Sequence, residues 1–288
     1  MPGAEVALAT CQALPGSCPD DAHLVAALER AGLRATTAPW DSATRWADAG
    51  MVVIRATWDY YLRAEEFLAW IDRLEADGAQ VWNPPAVLRW NSDKRYLDDL
   101  AGKGVRTVPT RRVARGDLQR LARILDEQGW EDVVVKPAVS AGAHATFRAT
   151  RGEAPSQQDA FELLLQDSDV LVQPYVPAVQ RGEWSFVFID GAFTHAVVKK
   201  PARGDFRVQE KHGGTLARGE PSRAMVDEAT AILERAGHGL LYGRVDAVVE
   251  DGSLTLMELE VLEPELFFRF DGDAAAKFAA AVGRRLRA

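Results

Sequence analysis

The chain has 288 residues, 47% of them hydrophobic, which is enough for two or three folded units with sizeable cores. Its 34 basic and 42 acidic residues give a net charge of −8 without a long lysine or arginine run, so general nucleic-acid binding is disfavoured. No apolar stretch approaches the roughly 20 residues that span a bilayer, and the N-terminus lacks a basic leader region. We expect a cytoplasmic protein that acts on a small molecule, with no nucleic-acid or membrane partner and with homo-oligomerisation left open.

The first 90 residues alternate between strand and helix patterns. AEVALATC and MVVIRATWDYY predict buried strands, and AQVWNPP predicts a short strand that ends at prolines. Helical spacing of apolar residues occurs between them, in DDAHLVAALERAGL and AEEFLAWIDRLEADG. Strands separated by helices indicate parallel pairing, so we expect a three-layer α/β domain at residues 1–90.

Polar and aromatic residues follow the second predicted strand. Arg55, Trp58, Asp59 and Tyr60 come directly after the apolar sequence MVVI. Ligands of parallel α/β sheets bind beyond the carboxyl ends of the strands, which makes these four residues candidate substrate contacts. The alternative is a surface loop whose aromatic side chains pack between domains.

The pattern changes after residue 90. NSDKRYLDDLAGKG predicts a helix that is capped by Asn91 or Ser92 and stops at Gly104. EWSFVFIDGAFTHAVVKK and YGRVDAVVEDGSLTLMELEV each predict two antiparallel strands joined at an Asp-Gly turn. Two hairpins followed by a C-terminal helix indicate an α+β fold for this part of the chain.

Several common enzyme motifs are absent. Cys11 and Cys18 have no histidines at metal-binding spacing, and we interpret them as reduced packing or surface residues rather than as a disulfide. Without a GxxxxGK(S/T) sequence, Lys103 is not a P-loop lysine, and no GxGxxG follows the first strand. GxSxG and HExxH are also missing. P-loop, Rossmann, serine-hydrolase and zinc-protease functions are therefore disfavoured.

Three separate segments have the composition of phosphate or purine contacts. Lys136 ends the strand DVVV before the small-residue loop AVSAGAHATF, whose backbone N–H groups can approach phosphate. LVQPYVP, at 171–177, is an apolar strand exit that can offer backbone groups to a flat purine. Lys199 and Arg207 belong to a glycine-bearing stretch that could fold over a triphosphate. Each segment alone is also compatible with a solvated strand end or charged surface.

Asp246, Glu258 and Glu260 form the most specific pattern. Glu258 and Glu260 alternate on one face of a predicted strand, and the hairpin can bring Asp246 opposite them. Three carboxylates in apolar strands repel one another unless cations lie between them. Magnesium that bridges nucleotide phosphates fits this pattern, and a solvent-facing polar edge is the alternative.

In this combination and order, the motifs resemble the ATP-grasp superfamily over essentially the whole chain. The resemblance implies an N-terminal α/β domain followed by two α+β subdomains that clasp ATP, which we assign to 1–90, 91–172 and 173–288. It also implies ATP and Mg²⁺ as cofactors, and specific roles for residues that match the family motifs.

The implied ATP contacts are Lys94, Lys136, Gln173, Tyr175, Val176, Glu183 and Lys199. Catalytic contacts to the triphosphate and acyl phosphate are implied for Lys199 and Arg207, and magnesium ligation for Asp246, Glu258 and Glu260. Candidate substrate residues are Arg55, Trp58, Asp59, Tyr60, Arg244, Glu263 and Arg269, the last of which could equally be a solvated helix-end residue.

One departure from the family pattern concerns the substrate. Many family members have E-x-N where this chain has E-L-E, with Glu260 in place of Asn. TWDYY, WNSDKRYL, GDFRVQEKHGG and MELEVLEPELFFR look more like the subgroup of cycloserine-forming O-ureidoserine cyclo-ligases than like glutathione synthetases. The implied activity is an ATP-dependent carbon–nitrogen ligase that activates a carboxylate as an acyl phosphate for ring closure. An intermolecular ligase and a non-catalytic ATP-binding regulator are the alternatives.

Overall fold

The computed structural model describes residues 5–13 and 18–287, and its N-terminal part is a four-stranded parallel sheet in the order β2-β1-β3-β4. The elements are β1 (Glu5–Thr10), α1 (Pro19–Arg30), β2 (Arg34–Pro39), β3 (Met51–Ala56), α2 (Ala64–Ala76), β4 (Val81–Trp82) and α3 (Pro85–Asn91). Val6 and Leu8 pack with α1, whereas Ala7 and Ala9 pack with α2, because strand side chains alternate between the faces of a sheet. The predicted three-layer arrangement is confirmed, and β2 is an edge strand that the prediction lacked.

The middle of the chain forms a four-stranded antiparallel sheet in the order β5-β8-β6-β7. Its elements and the helix that precedes it are α4 (Tyr96–Gly102), β5 (Arg111–Val113), α5 (Leu121–Gln128), β6 (Asp132–Pro137), β7 (Phe147–Thr150), α6 (Gln158–Asp167) and β8 (Val170–Pro174). Val133 and Val135 face the core under α5 and α6. Val134 and Lys136, on the other face of β6, line a cavity.

A five-stranded antiparallel sheet in the order β11-β10-β9-β12-β13 follows. The elements are β9 (Glu183–Ile189), β10 (Ala192–Lys200), β11 (Thr215–Gly219), α7 (Arg223–Ala236), β12 (Tyr242–Glu250), β13 (Ser253–Glu260) and α8 (Ala274–Arg285). Both predicted hairpins are confirmed, with Asp190 and Asp251 at positive φ in the turns. α4 and α7 pack on one face of this sheet, and α8 packs with α1 on the other.

The helix predicted from NSDKRYLDDLAGKG begins later than expected. α4 starts at Tyr96, so neither Asn91 nor Ser92 caps it, and it ends two residues before Gly104. Asn91 is instead the last residue of α3, and its amide donates to Leu259 O and accepts from Val261 N at 2.8 and 2.9 Å. A buried amide that bonds to a distant strand cannot also cap a helix, which is why the local pattern was misleading.

The predicted units 91–172 and 173–288 stay a prediction, and two packing features bear on their boundaries. β8 continues to Pro174, so a division after residue 172 falls within a strand of the four-stranded sheet. Tyr96 and Leu100 of α4 pack against Phe186 of the five-stranded sheet. The segment that connects α3 to β5 therefore belongs, by packing, with the C-terminal part.

Asn83 fixes the N-terminal unit on the five-stranded sheet. Its fully buried amide donates to Tyr242 O and Val261 O at 2.8 and 2.7 Å and accepts from Leu241 N at 2.7 Å. Each bond satisfies a backbone group that the interface would otherwise bury without a partner. Among the helices of the described residues, none combines the length and the apolar character needed to cross a membrane.

Candidate active site

A cavity of about 490 Å³ lies between the four-stranded and the five-stranded sheets. β6 lines it with Val134 and Lys136, and β13 lines it with Met257 and Glu258. Aromatic residues that follow β3, Trp58 among them, also line it. All three parts of the chain therefore contribute to one site.

Most of the predicted site residues line this cavity. They are Trp58, Tyr60, Lys94, Lys136, Gln173, Tyr175, Val176, Glu183, Lys199, Arg207, Arg244, Asp246, Glu258, Glu260 and Glu263. The structure does not bring Arg55, Asp59 or Arg269 to the cavity wall.

Lys94 and Lys136 are two neighbouring cations on one side of the cavity. Lys94 Nζ donates to Ser140 O at 2.6 Å and lies 3.2 Å from Glu258 Oε1. Burial lowers the pKa of Lys136; Glu258 opposes this effect and the ammonium of Lys94 adds to it. Two neighbouring ammonium groups, of which only that of Lys94 has a carboxylate within ion-pair distance, are suited to an anion with several charges, such as a polyphosphate.

Lys199 has a different environment. Its ammonium lies 2.6 Å from Glu183 Oε1 and 2.8 Å from Asp246 Oδ2. Burial alone would lower the pKa of Lys199, but Asp246 and Glu183 outweigh it and raise that pKa. Lys199 therefore stays charged and fixed between two carboxylates.

Asp246 is at the centre of the acidic group and is only 2% exposed. It accepts from Ser185 Oγ at 2.6 Å and from two nitrogens of Arg244, each at 2.9 Å. Burial alone would raise the pKa of Asp246, but Arg244 and Lys199 hold it well below its usual range. Arg244 also contacts Glu260, which lies opposite it in the β12–β13 register.

The three predicted metal ligands are neighbours, as the hairpin register requires, with Asp246 opposite Glu258. The cations between them are side chains, because Arg244 bridges Asp246 and Glu260 while Lys94 contacts Glu258. In the described part of the chain, no three His, Cys, Asp or Glu side chains are arranged to hold a metal ion. The magnesium site therefore stays a prediction.

After β13, residues 262–265 form what we call the braced segment, in which four successive backbone carbonyls each accept a hydrogen bond from a side chain. The donors are Tyr242 to Leu262, Trp58 to Glu263, Arg55 to Pro264 and Arg244 to Glu265, at 2.9, 3.1, 3.1 and 2.9 Å. Glu263 and Glu265 of this segment line the cavity. Two of the four donors come from the N-terminal unit, which therefore shapes this end of the site.

Three of the predicted substrate contacts have other roles. Arg55 is 2% exposed and forms a 2.7 Å ion pair with Asp21 of α1, besides its bond to the braced segment. Asp59 accepts from Trp40 Nε1 at 2.8 Å. Arg269 contacts the acidic side chains of Asp20, Glu210 and Glu265. Each finds its partner at a long sequence distance or on a neighbouring loop, which the local pattern did not reveal.

Sequence reasoning missed several residues that line the cavity. They include Tyr61, Asn91, Ser140, Glu265 and Phe267. A signal existed for Glu265 and Phe267, which alternate with Glu263 in VLEPELFF. For Asn91 the sequence offers no such signal, because a polar residue that precedes a helix pattern is interpreted as a helix cap.

Two family models match the chain. One is described as the D-cycloserine synthetase DcsG N-terminal domain and matches residues 6–83, and the other, the prokaryotic glutathione synthetase ATP-grasp domain, matches residues 101–269. The cycloserine biosynthesis protein DcsG of Streptomyces lavendulae is 34% identical over 283 residues, which cover 92% of this chain and 93% of the relative.

Two solved structures are also similar to this chain. The crystal structure of D-cycloserine synthetase DcsG matches with a TM-score of 0.87 and 30% identity, covering 98% of this chain and 99% of that one. The D-alanine–D-alanine ligase from Bacillus anthracis complexed with ATP matches with a TM-score of 0.73 over 99% and 98% of the two chains. At 15% identity, this second likeness concerns the fold alone.

The ion pair of Arg55 gives a test of its structural role. In Arg55→Met, Asp21 is left as an unpaired buried carboxylate, so we expect the free energy of unfolding to fall by about 3–5 kcal/mol in urea denaturation. Combining Arg55→Met with Asp21→Leu should recover much of this loss. Unchanged stability together with weaker substrate binding would instead make Arg55 a substrate contact.

The pKa of Glu263 predicts a pH-dependent stability. Burial raises this pKa to about 7, with Lys94 opposing and Glu258 adding to the effect. Because the folded protein holds this proton more tightly than the unfolded chain, the stabilisation is complete below the ordinary glutamate pKa of 4.5 and is lost as the pH rises through about 7. Relative to Glu263→Gln, we expect the wild type to lose up to roughly 3 kcal/mol over this range.

The measurement is urea denaturation at a series of pH values, with Glu234→Gln on the exposed face of α7 as the control. A pH-independent difference between wild type and Glu263→Gln would mean that the carboxylate is already ionised in the folded protein.

Proposed function

The chain belongs to the ATP-grasp ligases, and from this premise we propose that it closes O-ureidoserine to cycloserine in an ATP-dependent reaction. The prediction of an ATP-dependent carbon–nitrogen ligase with an α/β and α+β architecture is confirmed. The finer proposal is carried by one observation. The N-terminal unit, matched over residues 6–83 by the model of the D-cycloserine synthetase DcsG N-terminal domain, contributes Trp58, Tyr60 and Tyr61 to the cavity wall.

We assign the nucleotide to the end of the cavity near β6 and β8. Lys94 and Lys136 provide two neighbouring positive charges there, of which Lys94 is paired with Glu258. The exit of β8, from Gln173 to Val176, would present its backbone to adenine, and Gln173 is held by a 2.8 Å bond to Thr110. Glu183 would contact the ribose. This arrangement fits a long anion with a flat ring at one end.

The acidic residues of β12 and β13 have the ligand atoms that a hard divalent cation prefers. Asp246, Glu258 and Glu260 offer only oxygen atoms, which magnesium prefers, together with phosphate oxygens. The side chain of Glu258 is 32% exposed, whereas Asp246 is enclosed by its bonded partners, so Glu258 is the more accessible of the two. Magnesium, when bound there, would offset the negative charge of the phosphates.

In the proposed reaction, a carboxylate oxygen of the substrate attacks the γ-phosphorus and ADP leaves, which gives an acyl phosphate. Lys199 and Arg207 would stabilise the charge on the phosphoryl oxygens during this transfer. Arg207 lies on the loop between β10 and β11 and is paired with Asp205 at 2.9 Å, so it would have to turn toward phosphate. We propose that this loop then excludes water from the acyl phosphate.

Ring closure uses the aminooxy nitrogen as the nucleophile, so water must first break the bond between this nitrogen and the ureido carbonyl carbon, which releases carbon dioxide and ammonia. The freed nitrogen then attacks the acyl carbon and gives up one proton to the departing phosphate. The new carbon–nitrogen bond forms as the carbon–oxygen bond to phosphate breaks, and phosphate leaves. Tethering the nucleophile to the acyl group gives it a high effective concentration. No covalent attachment to the protein is required.

The test is an assay of ADP, phosphate and cycloserine with each enantiomer of O-ureidoserine, with and without an added amine. We expect the three products in equal amounts from one enantiomer without added amine. Phosphate release that requires an amine would indicate an intermolecular ligase. ATP binding without turnover on any small amino acid would indicate a regulator.

Charge removal from the proposed phosphate contacts should abolish turnover without unfolding the protein. For Lys136→Ala and Glu258→Gln we expect the rate of ADP release to fall by about 10²-fold or more, because the first removes a cation from phosphate and the second removes a proposed magnesium ligand. Lys277→Ala and Glu234→Gln make the same charge changes at exposed positions and should keep the wild-type rate. Undiminished turnover in either site variant would contradict the assignment.

A further inference from the structure

Glu263 is a cavity-lining carboxylate without a directly paired cation. Its residue is 9% exposed, yet it forms no ion pair with any residue that the structure describes. The hydrogen-bonding group that acts on its carboxylate is its own backbone N–H. A buried carboxylate in this situation is costly unless it takes up a proton, as its raised pKa allows, or a bound group supplies the missing charge.

Three of the cations that line the cavity, Lys94, Lys199 and Arg244, are paired with other groups, although Lys94 and Arg244 still act on Glu263 through space and lower its pKa. Lys94 binds Ser140 and Glu258, and Lys199 is fixed between Glu183 and Asp246. Arg244 divides its nitrogens among Asp246, Glu260 and the carbonyl of Glu265. The contrast with Glu265 is direct, because that carboxylate is paired with Arg269.

The position of Glu263 is fixed by the braced segment. The carbonyls of residues 262–265 are all held by side chains, so the backbone that carries Glu263 has little freedom. A carboxylate on a rigid backbone pays little ordering entropy when it binds a ligand. Trp58, which holds the carbonyl of Glu263, also lines the cavity beside it.

We propose that Glu263 binds the ammonium group of an amino-acid substrate. The inference rests on the proposed function, since it requires a small amino acid in this cavity, and it names the substrate class as α-amino acids rather than carboxylic acids in general. The unpaired carboxylate and the rigid backbone provide the charge and the direction of this contact. Burial from water strengthens the attraction between carboxylate and ammonium.

A divalent cation is the other class that a carboxylate attracts. Glu263 lies three residues beyond Glu260, outside the β12–β13 hairpin. An ammonium needs only one carboxylate, whereas magnesium needs several oxygen ligands. The geometry therefore favours the ammonium.

The test measures binding of paired ligands by calorimetry in the presence of magnesium and a non-hydrolysable ATP analogue. The pairs differ only in the amino group: O-ureidoserine with 3-(ureidooxy)propanoate, serine with 3-hydroxypropanoate, and alanine with propanoate. We expect the wild type to bind O-ureidoserine at least about tenfold more tightly than its partner. Glu263→Gln should bind the two members of each pair equally.

Glu265→Gln is the matched control, since it removes the same charge from the same cavity wall at a carboxylate that is already paired. It should keep the wild-type preference for the ammonium. Glu263→Asp keeps the charge and should keep part of the preference for the ammonium. This variant tests the inference if Glu263→Gln does not fold. In every variant, the affinity for the ATP analogue should stay unchanged, and so should the magnesium concentration that binding of this analogue requires.

Three results would overturn the inference. They are the absence of any ammonium preference in the wild type across all pairs, a preference that survives in Glu263→Gln, and an equal loss in Glu265→Gln. Failure of the proposed function is distinguishable from these. If serine or alanine shows the preference and its loss in Glu263→Gln while no cycloserine forms, ring closure is wrong and the ammonium site stands.

Discussion

The carboxylate of Asp246 organises the centre of this molecule because it is buried and must be neutralised by bonded partners. Its partners come from β9, β10 and β12, as Ser185, Lys199 and Arg244. Through Arg244 the same network reaches Glu260 on β13 and the carbonyl of Glu265 in the braced segment. One buried charge thus fixes cations and carboxylates from four strands in register, and the remaining groups of the site are arranged around them.

The cavity holds cations and carboxylates side by side. β6 and the segment before α4 contribute Lys136 and Lys94, and β12 and β13 contribute carboxylates, of which Glu258 lies 3.2 Å from Lys94. Burial and repulsion by Glu258 and Asp246 raise the pKa of Glu260 to about 8, although Arg244 opposes them. A cavity that holds both cations and carboxylates is compatible with the two reactants proposed above, a polyphosphate and an amino-acid substrate.

Local patterns were sufficient to predict much of the fold and many of the cavity residues. The two hairpins follow from alternating apolar residues around Asp-Gly turns, and the same alternation indicated that Asp246 can lie opposite Glu258 and Glu260; in the register, its partner is Glu258. Local patterns failed where the partner is distant in sequence. Arg55 pairs with Asp21 and Asn91 bonds to β13, and neither contact has a local signal. The edge strand β2 was missed because RATTAP lacks the apolar run of a buried strand.

The braced segment also determines which parts of the molecule can move. Its donors come both from the N-terminal unit, as Arg55 and Trp58, and from β12, so any rotation of that unit against the five-stranded sheet would break them. The four-stranded sheet has no share in this bracing, and its two covalent connections run through residues 103–110 and 175–182. Rotation of the four-stranded sheet about these two connections would leave the four hydrogen bonds of the braced segment intact, so the shape of this end of the cavity does not depend on the position of that sheet.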